Sequence, residues 1–282
     1  MQVSNTSRAR ALAKELRAAR QEVGLSMKLV GQQLGWSEAK VSRVENAKQG
    51  IQEADVSAML AVLRVTGSDR ERLLKMAREI DQPAWWELGR SLPEQLTALI
   101  DAEQRAVRIT DVTLNLLPGL LQTRAYTRAV MEASGLPADE SDAMVSIRQV
   151  RQGILSNSDP TELRCLIDEA ALVRPVGGPR VMAEQLRWIV SSAAQPNISV
   201  QVLPLALGAH AGLAGTFVLL EFVKARDVIY LEARSSGAFI DEPEDVALFT
   251  DAVSRVETLA FSPSASTEIL EQYIRKYESE AA

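Results

Sequence analysis

Cysteine and histidine are almost absent from this sequence. Its 282 residues include one cysteine, Cys165, and one histidine, His210. A disulfide framework needs cysteines in pairs, and the common zinc sites need several cysteine or histidine ligands. The sequence therefore excludes both kinds of site, and it predicts neither a metal ion nor another cofactor.

Long apolar runs and aromatic residues are also scarce. No stretch reaches the roughly 18 consecutive apolar residues that a membrane-spanning helix requires. Residues 1–16 include Arg8, Arg10, Lys14 and Glu15 and lack the apolar run of a signal peptide. Aromatic residues make up 5% of the chain, which argues against a surface that stacks single-stranded bases. We expect a cytoplasmic protein with no membrane association.

Positive charge is scarce in the chain as a whole but not near its N-terminus. The formal net charge is −6. Residues 1–50 nevertheless contain nine basic and four acidic residues, a balance of +5, whereas the remainder contains 22 basic and 33 acidic residues, a balance of −11. The asymmetry is typical of a basic module joined to an acidic body, although helical surfaces rich in arginine and lysine give the same pattern.

The hydrophobic patterns predict two domains. Hydrophobic residues make up 46% of the chain, as in globular proteins. Apolar spacings of three and four residues predict five short helices within residues 1–80, which form an all-α domain. Residues 81–93 contain two prolines and a tryptophan pair, and we interpret them as a linker. Residues 94–282 mix helical and strand patterns and predict an α/β domain.

The elements of the second domain follow from apolar alternation and from turn residues. Strands are predicted over 109–117, 162–167 and 198–203, with a β-hairpin formed by 214–223 and 227–233. Helices are predicted over 94–108, 123–134, 141–156, 180–194, 244–260 and 264–278.

Residues 25–46 carry the pattern of two short helices joined by a tight turn. Gly35 marks the turn, and Ser26 and Ser37 stand where side chains cap the two helices. The helices are expected to pack together through Val30, Leu34, Val41 and Val44. The outward residues at the start of the second helix suit the major groove of B-DNA. The pattern predicts a helix-turn-helix that binds double-stranded DNA.

This segment resembles the helix-turn-helix of the Xre family of phage-repressor-like regulators. The matching residues are Leu25, Ser26, Leu34, Gly35, Ser37, Val41, Ser42, Val44 and Glu45. Met27, Gly31 and Ala47 depart from the glutamine, alanine and glycine usual in that family, and the usual glycine forms a left-handed helix end. The resemblance covers residues 8–80 and implies a sequence-specific transcriptional regulator, which we expect to act as a homodimer.

The resemblance assigns DNA contacts to two groups of residues. Ser37, Glu38, Lys40 and Arg43 are candidates for reading bases, and Ser26, Lys28 and Lys48 are placed to meet phosphates. Each of them could instead be a solvated helix residue. For Glu38 and Lys48 this alternative is as strong as the DNA contact.

Residues 85–275 resemble a C-terminal domain of unknown function that many actinobacterial Xre-type regulators carry. The matching stretches are 85–86, 103–106, 118–126, 148–152, 169–172 and 230–232. Such regulators are antitoxin-like and are commonly encoded beside a very small partner protein. The resemblance implies a domain that binds such a partner, or a ligand, and thereby modulates DNA binding.

The candidate partner- or ligand-binding residues come mainly from these stretches. They are Trp85, Trp86, Gln122, Tyr126, Arg148, Arg151, Gln152, His210 and Tyr230. The tryptophans either pack the linker onto the body, which we favour, or form an interface hot spot. Arg148, Arg151 and Gln152 either hold an acidic ligand or pair internally with Glu103, Glu169 or Glu232, and we favour internal pairing. Residues 118–123 favour a structural corner over a binding loop.

His210 lies in the glycine-rich stretch 208–215, and we interpret it as the lip of a pocket or, more simply, as a solvated turn residue. The chain contains neither a phosphate-binding glycine-rich motif nor the Gly-x-Ser-x-Gly of serine hydrolases. We therefore expect a regulator without catalytic residues. The alternative is a hydrolase-like domain around His210 that is tethered to a DNA-binding module.

Overall fold

The computed structural model describes residues 7–79, 94–233 and 236–282. These residues fall into two compact units, one ending at Asp101 and the other beginning at Ala102. The linker predicted over 81–93, including Trp85 and Trp86, lies outside the described residues. The predicted boundaries 1–80 and 94–282 therefore stay a prediction.

Residues 7–79 form the five predicted helices, so the all-α character of this region is confirmed. The helices are α1 (Ser7–Glu22), α2 (Met27–Leu34), α3 (Glu38–Glu45), α4 (Glu53–Val62) and α5 (Gly67–Glu79). One apolar core joins them through Leu12, Leu16, Val30, Val41, Val44, Val56, Met59, Leu60 and Leu73. The helices are short, so burial of their apolar residues against one another holds them in place.

Gly31 is where α2 comes closest to the turn that precedes α3. A Cβ at this position would lie 2.7 Å from the carbonyl oxygen of Trp36. The backbone N–H of Trp36 in turn donates to the carbonyl of Gly31 at 2.7 Å. Because the obstructing atom belongs to the backbone, no side-chain rotation relieves the contact. This close approach accounts for glycine where the resembling family has alanine.

Ala47 ends the turn after α3 in a left-handed conformation, with a φ of 51°. This is the conformation for which the resembling family uses glycine, and it costs an alanine roughly 1–2 kcal/mol. The methyl group of Ala47 is buried, and burying one methyl group returns about 0.8 kcal/mol. The helix end is therefore kept despite the departure from glycine.

The second unit is built on one six-stranded sheet. The strands are β1 (Arg108–Thr113), β2 (Glu162–Asp168), β3 (Ile198–Leu203), β4 (Phe217–Glu221), β5 (Val228–Ala233) and β6 (Ser236–Ile240). Their order across the sheet is β3-β2-β1-β4-β5-β6. The first three strands run parallel, and β4, β5 and β6 pair antiparallel. The predicted hairpin and the mixed α/β class are confirmed.

The helices of the remaining chain follow the predicted order. They are α6 (Glu94–Arg105), α7 (Arg124–Ala133), α8 (Ala138–Arg151), α9 (Glu169–Val173), α10 (Pro179–Ser192), α11 (Pro243–Leu259) and α12 (Pro263–Ala281). Across the described ranges, no helix is long and apolar enough to span a bilayer. The short helix α9 and the strand β6 were not predicted, and the strand predicted over 109–117 ends at Thr113.

The two faces of the sheet differ in character. One face carries Val112, Leu166, Leu203 and Phe217, which pack against α11 in a wholly apolar cluster. We call the opposite face the polar face, because it carries Asp111 and Thr113 of β1. Tyr230 lies on it as well, since Asp111 pairs with Val218, Val218 pairs with Tyr230, and paired residues share a face.

Asp111 is a buried carboxyl group in the middle of the polar face. The pKa of Asp111 is raised to about 7, mainly by burial and also by the nearby carboxylates of Glu232 and Glu103, while Arg151 and the backbone N–H of Gly119 act to lower it. In the unfolded chain the pKa of this carboxyl returns to about 4. Between about pH 4 and about pH 7, the folded protein therefore keeps a proton on Asp111 that the unfolded chain has released.

We predict that Gly31→Ala lowers the free energy of unfolding by about 1–3 kcal/mol, because the added Cβ forces α2 away from the turn before α3. Urea titration followed by circular dichroism measures the change. Gly50→Ala is the matched control, since a Cβ there meets nothing within 4 Å. Equal stability of the two variants would contradict the tight contact at Gly31.

We also predict a pH-dependent gain of stability in Asp111→Asn. Below about pH 4, residue 111 is neutral in both the wild type and the variant. From there to about pH 7 the wild type loses stability, because its unfolded chain releases a proton that the folded protein keeps, whereas asparagine does not titrate. The advantage of the variant in free energy of unfolding should therefore grow between pH 5 and pH 8. Urea titrations at the two pH values test this, with the exposed Asp251→Asn as control. A difference that does not change with pH would contradict a raised pKa.

Candidate nucleic-acid interface and polar site

The turn between α2 and α3 is fixed by local hydrogen bonds. The Ser26 hydroxyl accepts from the backbone N–H of Leu29 at 3.2 Å, and the Ser37 hydroxyl accepts from that of Lys40 at 3.1 Å. Gly35 takes the left-handed conformation, with a φ of 66°, which glycine adopts without strain. The two serine caps and the turn therefore lie where the sequence predicts them. Both hydroxyls are engaged within the protein, so phosphate contacts at Ser26 and base contacts at Ser37 would use their remaining hydrogen-bonding capacity.

Helix α3 buries one side and exposes the other. Val41, Val44 and Glu45 face the core, whereas Glu38 and Arg43 are exposed. Ala39 and Asn46 are exposed on the same stretch, and sequence reasoning did not single them out. A helix that presents polar side chains beyond its N-terminal cap can enter the major groove and meet base edges.

The predicted base-reading residues are not equally available. Lys40 is held against its own unit, because its Nζ lies 3.3 Å from Asp55 Oδ2 and 3.7 Å from the centre of the Trp36 ring. Arg43 is exposed, and its Nε donates to Gln49 Oε1 at 2.9 Å. Among the described residues, the terminal nitrogens of Arg43 have no hydrogen-bond partner. Arg43 can therefore reach a base edge without breaking an ion pair, whereas Lys40 must give up both of its contacts.

The basic residues expected to meet phosphates are exposed. Lys28 lies in the first turn of α2, and Lys48 follows α3. Arg17 of α1 is also exposed but was not among the predicted contacts. Exposed lysine and arginine side chains can neutralise phosphates, and because this releases counterions from the DNA, their contribution depends on salt.

An ion pair positions α3 within the first unit. The Arg20 guanidinium of α1 donates to both carboxylate oxygens of Glu45, at 2.7 and 2.8 Å, and also to the carbonyl of Leu25. The Glu45 side chain is 2% exposed. Hydrogen bonding to Glu45 raises the pKa of Arg20 above its ordinary value. The pair links α1, α3 and the start of the α1–α2 connection, which sequence reasoning did not identify.

In the second unit, the corner formed by residues 117–123 is closed by glutamine side chains. The backbone carbonyl of Gln122 accepts from the side-chain amides of Gln149 and Gln152, at 3.1 and 2.7 Å. Gln185 bridges the corner, since it accepts from the backbone N–H of Thr123 and donates to the carbonyl of Leu121. The corner is therefore a structural element, as the sequence favoured.

Two predicted ligand-binding residues are buried inside this corner. The amide of Gln122 donates to the carbonyl of Leu117, and the hydroxyl of Tyr126 accepts from the backbone N–H of Leu117 at 3.1 Å. Tyr126 is fully buried, and Gln122 is 2% exposed. The structure places both side chains, together with Gln152, where they hold the corner and where an external partner does not reach Tyr126.

The two arginines at the end of α8 have different surroundings. Arg151 is buried and binds both oxygens of the buried Glu103 at 2.6 and 2.8 Å. Arg148 is half-buried and donates to Gln122 Oε1 at 2.7 Å. The pKa of Arg148 is lowered to about 10, mainly by desolvation and also by the neighbouring Arg151. Internal pairing therefore accounts for Arg151 but not for Arg148, which lacks a carboxylate partner among the described residues.

His210 is not a solvated turn residue, and this alternative from the sequence is wrong. Its side chain is 2% exposed, and Nε2 lies 3.0 Å from Asp168 Oδ2 at the end of β2. Its Nδ1 accepts from the backbone N–H of Gly212 at 3.2 Å. With Nδ1 accepting, Nε2 is the ring nitrogen placed to donate to Asp168. Both ring nitrogens are occupied by the fold, and the histidine fastens its loop to the sheet.

Tyr230 and Glu232 extend the polar face along β5. Tyr230 is buried and packs against Phe239 with ring centres 5.0 Å apart, whereas Glu232 is exposed. A Cβ at Gly237 would lie 2.5 Å from the Tyr230 ring, so glycine makes room for the tyrosine. We call the group formed by Asp111, Thr113, Arg148, Tyr230 and Glu232 the polar cluster. Outside the unplaced stretches of the chain, no group of acidic, cysteine and histidine side chains is arranged to hold a metal ion.

Comparison with known proteins identifies both parts of the chain. A model described as a helix-turn-helix domain matches residues 11–73. A model described as a domain of unknown function (DUF5753) matches residues 96–272, more than half of the chain. No curated protein and no solved structure matches. The chain therefore belongs to the DUF5753 family, and its domain of unknown function follows a helix-turn-helix domain of the kind that DNA-binding regulators use.

Proposed function

We propose that this protein is a sequence-specific transcriptional regulator of the Xre type, which acts in the cytoplasm as a homodimer on double-stranded DNA. The observation that carries the proposal is the exposed face of α3, which presents Glu38 and Arg43. Ser37 caps this helix, and the ion pair of Arg20 with Glu45 holds its other side against the first unit. The basic balance of residues 1–50 supports it, since phosphate neutralisation supplies most of the affinity of such proteins.

The short recognition helix is the reason for proposing a homodimer. Helix α3 has eight residues, so it meets the edges of a few base pairs at most. Helix-turn-helix proteins recognise a longer DNA sequence when two copies bind half-sites about 34 Å apart. A two-fold operator then mirrors the symmetry of the protein.

We further propose that the second unit binds a small partner protein encoded by a neighbouring gene, or a ligand, and that this binding modulates DNA affinity in an antitoxin-like manner. The support is the sequence resemblance of residues 85–275 together with the size of the second unit, which exceeds what dimerisation needs. An enzyme built around His210 is not proposed, because both nitrogens of its ring are engaged by Asp168 and Gly212.

The first test is binding of the full chain to a duplex from the upstream region of its own gene. We predict that the logarithm of the affinity falls with the logarithm of salt concentration, at a slope of about −0.9 per neutralised phosphate. Arg43→Ala should weaken the complex by about 1–3 kcal/mol, because an arginine that reads guanine contributes that much discrimination. Gel shifts over a series of salt concentrations measure both effects.

Arg78→Ala is the matched control for this experiment. Arg78 is exposed on α5 and pairs with Glu53, away from α3 in sequence. Its replacement should leave the affinity for the duplex unchanged. Loss of affinity that is equal in both variants, or duplex binding that does not respond to salt, would overturn the proposed interface.

The second test concerns the partner. Adding the purified product of the neighbouring gene should change the affinity of the full chain for its duplex about 5–150-fold, the usual range of coupling between two sites. Arg43→Ala should bind that product as the wild type does, because the substitution lies in the other unit. An unchanged duplex affinity at saturating partner would contradict coupling.

A further inference from the structure

We propose that the polar cluster is a binding site for a small zwitterionic molecule with the chemistry of a free amino acid. The proposal rests on the proposed function, in which the second unit binds an effector, and it names the chemical class of that effector. It assigns the carboxylate of the ligand to Arg148 and its ammonium group to Asp111 and Glu232.

The backbone places the members of the cluster on one face of the sheet. Asp111 and Thr113 are two residues apart on β1, so their side chains point to the same side. Tyr230 shares this side through the register of β1, β4 and β5, and Glu232 follows it by two residues. Arg148 approaches from α8, since it donates to Gln122 in the same corner whose Gly119 N–H donates to Asp111.

The charges of the cluster are close to one another but do not pair. Among the described residues, Arg148 has a single hydrogen-bond partner, the side-chain oxygen of Gln122. None of their carboxylate oxygens lies within ion-pair distance of its guanidinium group. Asp111 accepts from the backbone N–H of Gly119. Glu232 has no ion pair or hydrogen bond within the described part of the chain. Arg151 and Glu103 show the contrast, since both are buried and they satisfy each other.

Thr113 supplies an independent observation. It is 5% exposed, and its hydroxyl is one of two buried side-chain polar atoms that lack a hydrogen-bond partner in the described residues. A buried hydroxyl without a partner is costly, and most such groups in native proteins find one. Thr113 lies on the face that carries Asp111, so a ligand bound at this face can satisfy its hydroxyl.

The mixture of charges selects the ligand class. A guanidinium group binds a carboxylate through two parallel hydrogen bonds, and the two carboxyl groups accept from an ammonium group. A simple anion would engage only Arg148 and a simple cation only the two carboxyl groups, whereas a zwitterion engages both. Because Glu232 is exposed, the cluster opens to solvent along β5, which gives a small molecule a way in.

The experiment is calorimetric titration of the full chain with the twenty free amino acids, supported by thermal unfolding. Succinate and putrescine serve as probes that carry two like charges. We expect at least one amino acid to bind and to raise the unfolding temperature, while succinate and putrescine do not bind. No binding by any amino acid would overturn the proposal, and so would tighter binding of succinate or putrescine.

Three variants locate the site. Thr113→Val should weaken binding about tenfold while leaving the unfolding temperature of the unliganded protein unchanged or higher, because the hydroxyl has no partner to lose. Arg148→Gln and Glu232→Gln should each weaken binding tenfold or more. Arg255→Gln, on the helix that covers the apolar face, is the control and should bind normally. Equal affinity in all four variants would overturn the assignment.

Gel shifts with the same proteins separate this proposal from the proposed function. Duplex binding together with no amino acid binding would remove the zwitterion site and leave the regulator in place. Amino acid binding without salt-dependent duplex binding would keep the site and remove the DNA-binding function.

Discussion

The ion pair between Arg20 and Glu45 is the interaction on which the exposed surface of the first unit depends. Helix α3 has eight residues, too few to be stable alone in water. Val41 and Val44 bury one side of it, but apolar packing alone tolerates small shifts along the helix axis. The two hydrogen bonds from Arg20 to Glu45 remove that freedom, because a displaced carboxylate would be left buried without its partner. The outward side chains of α3 are therefore held in one position.

The second unit uses buried polar groups in the same way but leaves some of them unsatisfied. The corner around Gln122 and the pair of Arg151 with Glu103 fix the end of α8, and both oxygens of Glu103 accept from Arg151. Arg148 leaves the same helix one turn earlier and remains without a carboxylate among the described residues. The fold gives Arg151 a carboxylate partner but gives none to Arg148, and it leaves the Thr113 hydroxyl without a hydrogen bond. A buried polar group without a partner lowers stability. Function explains such a cost more simply than packing does.

Local patterns were predicted well from the sequence, and relations between distant segments were not. Ser26, Gly35 and Ser37 lie where capping chemistry placed them, since a cap involves residues three positions apart. The strand β3 was predicted residue for residue from its apolar alternation. By contrast, β6 was missed, because its five residues do not alternate between apolar and polar and it is defined by pairing with β5. His210 was misjudged for a similar reason, since its partner Asp168 lies 42 residues away in the sequence.

By itself, the sequence determined the helix-turn-helix, the mixed class of the second unit and the charge difference between the two ends of the chain. These properties depend on spacing, capping and composition, which act over a few residues. The tertiary structure alone decided which charged groups are satisfied. Lys40 is drawn to Asp55 and Trp36 while Arg43 stays exposed, and Arg151 is paired while Arg148 is not. These outcomes depend on which distant segments the fold brings within hydrogen-bond distance, and burial makes each of those contacts decisive for the groups involved.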